Sequence, residues 1–203
     1  MRSTLVSPHR PRRAGSAVIA ASLAVVLLAA LLGAASWALL SERRGSAPAA
    51  AELFSDPLGD EDGYIEEGES VSPFADDLPA IARLDPALRA AVQAAATDAA
   101  ADEVPFVVTS GWRSERYQQA LVDDAVREYC AEEAGRRVAS VTSSAHLTGG
   151  AVDIGYTDAD SWLAQHGTDY GLCQIYANEI WHFELATEPG GDCPEQLPDA
   201  SAT

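Results

Sequence analysis

The chain predicts an α+β domain with a small, mainly antiparallel sheet and flanking helices over residues 80–195. Three observations carry this. A segment of helical period is opened by Asp85-Pro86. Two short apolar, β-branched runs are separated by helical stretches. Two alternating segments then lie close together near the end of the domain, where they can pair.

Each element has a local reason. Asp85 suits an N-cap and Pro86 a first helical turn, and Leu88, Ala91, Val92 and Ala95 fall on one face, giving a helix to about Ala100. Pro105 to Thr109 reads as a buried strand ended by Ser110-Gly111. Ser114 caps a second helix with Tyr117, Leu121, Ala125 and Tyr129 (or Val122) inward, and Gly135 closes it. Gly150 to Ile154 is a second strand. Thr157-Asp158-Ala159-Asp160 opens a third helix that Gly167 follows. Tyr170 to Ile175 and Ile180 to Leu185 form the closing strand pair.

The flanks read differently. Residues 1–16 are a basic N-terminus, and 17–40 contain no charged residue and are rich in Ala, Val and Leu. As a helix those 24 residues would reach roughly 36 Å, enough to cross a hydrocarbon core of about 30 Å. The arginines at 10, 12 and 13 outnumber those at 43 and 44, which favours a cytoplasmic N-terminus and an extracytoplasmic body. The alternative is a cleaved signal segment, which would make the body secreted. Residues 41–79 carry ten acids and no base from 45 onward, with Pro48, Pro57, Pro73 and Pro79. They predict an acidic disordered linker. Residues 196–203 predict a disordered tail.

Composition excludes several chemistries. All 13 basic residues are arginine, so Schiff-base lysines, the P-loop lysine and the lysine-dependent serine acyl-enzymes are absent. A net charge of −18 also argues against nucleic acid as a partner. Of the three cysteines, Cys173 and Cys193 are the favoured disulfide of three possible pairings, leaving Cys130 as a buried free thiol. The domain is expected to be a monomer.

Two of the four histidines stand among other reactive groups. His146 lies in a segment ending at Asp153, and His182 follows Glu179 by three residues. Two imidazoles and a carboxylate can hold a catalytic zinc and leave a position for water. Gly149 and Gly150 would let the chain turn so that His146 and Asp153 converge. Glu179 could act as general base, and Arg113 could hold a carboxylate or stabilise an oxyanion. Taken singly, each residue has an ordinary structural reading; the joint pattern changes the odds.

That pattern, carried by SGWRSERYQ (110–118), SSAHLTGGAVDIG (143–155), WLAQHGTDYGL (162–172) and EIWHFEL (179–185), resembles the VanY-type D-alanyl-D-alanine carboxypeptidases. These zinc peptidases share a fold with D-Ala-D-Ala dipeptidases and hedgehog-like domains. The resemblance spans roughly 105–186. It implies zinc ligands His146, Asp153 and His182, and Glu179 as catalytic base. It implies Arg113 as the group on the substrate carboxylate or scissile carbonyl, with Gln118 and Ser144 holding the peptide end. It implies peptidoglycan stem peptides as substrate and loss of a terminal D-alanine. An L,D-carboxypeptidase, a wall endopeptidase or a non-catalytic zinc-holding wall-binding module are the alternatives. Only eight residues separate Leu172 from Trp181, where many relatives carry a longer hairpin, so the pocket rim departs from the family.

Overall fold

The computed structural model describes residues 56–202, and the chain from Pro57 onward forms one compact unit. The predicted membrane-spanning segment 17–40 lies outside the described residues, and among these no helix is long and apolar enough to cross a membrane.

The elements run α1 (Pro79–Ala82), α2 (Pro86–Ala101), β1 (Val107–Ser110), α3 (Glu115–Glu128), α4 (Ala131–Arg137), β2 (Ala151–Gly155), α5 (Thr157–His166), β3 (Leu172–Gln174) and β4 (His182–Leu185). The four strands form one sheet in the order β1-β2-β4-β3, with every neighbouring pair antiparallel.

Strand alternation assigns the two faces of this sheet. Val108, Val152, Ile154 and Phe183 join the core with Leu88, Val92, Ala95 and Ala99 of α2 and Ala159, Trp162 and Leu163 of α5. Asp153 and His182, directly opposite each other on β2 and β4, take the alternate positions. An irregularity between Val108 and Ser110 inserts one residue in β1 and sets Ser110 opposite Asp153. Ser110, Asp153 and His182 thus stand in a row across three strands.

The helix starts follow capping chemistry. The Asp85 carboxylate accepts from the Ala87 and Leu88 amides, and Ser114 Oγ accepts from the Tyr117 amide. The expected single helix from Ser114 to Gly135 is instead two. Tyr129 and Cys130 are extended and break it, and Gly135 lies inside α4. Seven residues suffice for α4 because acids begin it, arginines end it, and Glu132–Arg136 and Glu133–Arg137 pair at i,i+4.

The acidic stretch before residue 80 is not a spacer throughout. From Pro57 it packs on the domain. Buried Asp62 accepts from Ser114 Oγ at 2.7 Å and pairs with Arg116. Val71 exchanges backbone hydrogen bonds with Val108 at 2.9 Å in each direction. Ile65, Val71 and Ala75 pack against the core. Gly63 is required here, since its φ is +73° and a Cβ would lie 1.9 Å from the Trp112 carbonyl oxygen.

The C-terminal stretch is ordered as well. Cys173 and Cys193 are disulfide-bonded. Beyond Cys193, the Leu197 amide donates to the Ile175 carbonyl at 2.9 Å and Ala200 is buried. This strip pairs in parallel with the chain just past β3, at Tyr176 and Leu197. Cys130, expected to be buried, is exposed, because the break between α3 and α4 places it at the surface.

Candidate metal centre

Three segments converge at the site. His146 sits in a 3-10 turn (Ala145–Thr148) ended by Gly149 at φ +73°. A Cβ on Gly149 would lie 2.3 Å from the Arg83 carbonyl oxygen, so only glycine passes here. The chain then enters β2 and delivers Asp153 to the same place, and β4 supplies His182 from the facing register. One ligand atom from each of the three lies within 4.8 Å of the others, and all three residues are buried.

Their outer partners assign the tautomers. His146 Nδ1 is 2.7 Å from the Gly111 carbonyl oxygen and donates to it. His182 Nε2 is 3.0 Å from Glu184 Oε1 and donates in the same way. The two inner nitrogens, His146 Nε2 and His182 Nδ1, face each other at 3.3 Å. They lie 3.4 and 3.2 Å from Asp153 Oδ1. Two lone pairs and a carboxylate oxygen therefore converge, an arrangement that a divalent cation satisfies at once. Two imidazoles and one carboxylate match a catalytic zinc donor set.

The electrostatics agree. Burial and the Arg113 charge hold the His146 imidazole below its ordinary range, so its lone pair stays available. Burial opposes the charged form of Asp153, but His146 and Arg113 outweigh it and hold the carboxyl well below the usual range. For His182, burial opposes protonation, while hydrogen bonds to Asp153 and Glu184 outweigh it and lift the imidazole to about 9. A proton thus competes with a metal for that position.

Around the three lie the other residues expected from the sequence. Arg113 Nη2 donates to Asp153 Oδ2 at 2.6 Å, Nε to Ser110 Oγ at 2.8 Å and Nη1 to Gln118 Oε1 at 3.2 Å. Gln118 also accepts from Ser144 Oγ at 3.2 Å and donates to the Ala139 carbonyl at 2.7 Å. Glu179 is half-buried with Oε2 3.9 Å from His182 Nδ1, and burial pushes its carboxyl upward. Arg113, Gln118, Ser144 and Glu179 line one cleft with Trp181 and Tyr176. Tyr170 packs against the core, with its hydroxyl donating to Asp98 at 2.6 Å.

Sequence reasoning passed over Ser110, Glu184, Tyr176 and Arg137. Glu184 had a signal, since it follows His182 by two residues and shares its face of the strand. Ser110 depends on the irregularity in β1, and the Gly111 carbonyl has no sequence signature.

A family model described as VanY, D-alanyl-D-alanine carboxypeptidase, matches residues 81–189. The chain is similar to a mutant of the vancomycin-resistance D,D-pentapeptidase VanY solved in complex with Zn(II), at 27% identity over 50% of this chain and 71% of that one, TM-score 0.46. It is similar to VanYB in complex with D-alanine-D-alanine, at 25% identity over 64% and 80% of the two chains, TM-score 0.47. It is also similar to the LdcB LD-carboxypeptidase, at 21% identity over 52% and 60%, TM-score 0.47. A search of curated proteins returned no match.

Proposed function

The chain belongs to the VanY D-alanyl-D-alanine carboxypeptidase family, and from that premise we propose that it removes the terminal D-alanine from peptidoglycan stem peptides with zinc held by His146, Asp153 and His182. The observation that carries this is the converging donor set with both outer imidazole nitrogens already engaged. When bound there, zinc supplies a Lewis acid and lowers the pKa of a coordinated water to about 7.

The chain's own groups do the rest. Glu179, beside His182 and free of the ligand set, takes a proton from the attacking water and returns it to the leaving amine. Its raised pKa brings base and acid forms closer to the working pH. Arg113 is fixed by Ser110, Gln118 and Asp153, which use three of its five N–H donors. The remaining two can meet the substrate's terminal carboxylate or the developing oxyanion. Ser144 and Gln118 brace that end of the cleft. In this reading residues 17–40 anchor the domain on the outer face of the membrane. Recovery in the membrane fraction with the body cleaved by externally added protease supports that placement; recovery of a protected body contradicts it.

The test is digestion of defined muropeptides by the purified protein, read by mass. Loss of one alanine from pentapeptides, abolished by chelator, supports the proposal. Cleavage of tetrapeptides alone would reassign it as an L,D-carboxypeptidase, and cleavage within cross-bridges as an endopeptidase. Zinc binding without any cleavage would leave a wall-binding module.

A further inference from the structure

Arg137 ends α4 at the junction of two cavities. One is the site cleft, where it stands with Ser144, Glu179 and Trp181. The other is an adjoining cavity of about 470 Å³, which it lines with Arg136 and Asn178. Its guanidinium is fixed on two sides. Nε donates to Glu133 Oε1 at 2.8 Å, and the group lies 4.4 Å over the Tyr129 ring. The side chain is nevertheless 51% exposed. A guanidinium tethered through Nε keeps its Nη donors in a planar fork suited to a carboxylate.

The cleft creates a need for such a group. The cleft also holds the carboxylates of Asp153 and Glu179, so a substrate carboxylate placed near Glu179 requires a cation beside it. Arg113 is already bound by three protein groups next to the metal ligands. Arg137 is the other arginine lining the same cleft.

Resting on the proposed peptidase reading, we infer that Arg137 is a specificity-determining residue that binds a side-chain or α-carboxylate upstream of the cleaved bond. In a stem peptide that carboxylate belongs either to the second residue, a γ-linked glutamate, or to the third, when it is diaminopimelate rather than lysine.

The experiment uses four pentapeptides ending in D-Ala-D-Ala, with glutamate or isoglutamine second and diaminopimelate or lysine third. With the zinc-loaded protein, Arg137→Gln raises KM about tenfold or more on a carboxylate-bearing peptide while leaving kcat within about twofold. The peptide with neither carboxylate shows no change, and the two single-carboxylate peptides identify the source. Arg137→Lys keeps the charge without the fork and falls between. Calorimetric binding of the four corresponding product tetrapeptides reads the same pattern as Kd without turnover, so a failure of the hydrolysis reading stays distinct. A change equal on all four peptides, or on none, in both measurements overturns the inference.

Discussion

At the residue scale, Glu179 and Glu184 flank His182 and do different work. Glu179 is close to His182 Nδ1 at 3.9 Å, whereas Glu184 holds Nε2 at 3.0 Å from the other side. Glu179→Gln is expected to lower kcat by about 10²–10⁴-fold while zinc content and unfolding temperature stay as in the parent; steady-state kinetics with metal analysis check it. Glu184→Gln is expected to weaken zinc affinity by about 10–100-fold, read by competition with a chromophoric chelator, because it loses the anionic partner that orients His182. If the two variants behave alike, the roles assigned here are wrong. The sequence exposed Glu179 and hid Glu184 for a physical reason. A carboxylate three residues before a histidine in a motif draws attention as a base, while one two residues after it looks like strand polarity. His146, Asp153 and His182 were readable because each sits in a segment whose glycines or alternation fix its direction. The Gly111 carbonyl that sets the His146 tautomer is backbone, and no side-chain pattern reports it.

At the scale of elements, the strands and the main helix α2 could be read from period and caps. The break at Tyr129-Cys130 could not, because it rests on backbone conformation rather than on a Pro or Gly. A buried acid in α5 makes a further test. Asp160 is buried, its Oδ1 has no hydrogen-bond partner among the described residues, and burial, then the charge of Asp153, push its carboxyl up to about 6. With a folded-state pKa above the unfolded value of about 3.9, the folded chain holds this proton more tightly. Asp160 therefore takes stability away as pH rises from about 4 through 6 and contributes no further change above that. Asp160→Asn removes this dependence. The variant's unfolding temperature should gain on the parent's between pH 4 and pH 7, and a constant difference across that range would contradict it.

At the scale of the whole molecule, the domain begins at Pro57 rather than at residue 80. Ten acids masked the apolar residues Tyr64, Ile65 and Val71 and the buried use of Asp62, whose charge is met by an arginine 54 positions away. A chain starting at residue 57 should unfold cooperatively at a higher temperature than one starting at 80, which loses the Asp62–Arg116 pair and the Val71–Val108 bonds; equal temperatures would return that stretch to a spacer. The Cys173–Cys193 bridge closes a loop of 20-residue separation, and its reduction should cost about 3 kcal/mol, read by denaturant midpoints with and without reductant. One measurement reaches fold, metal and chemistry together: the products of a D-Ala-D-Ala pentapeptide digested by the protein as purified, after chelation, and after zinc is restored. Tetrapeptide and free D-alanine in the first and third digests, with intact pentapeptide in the second, are the expected result. Undiminished tetrapeptide after complete removal of the metal would contradict it.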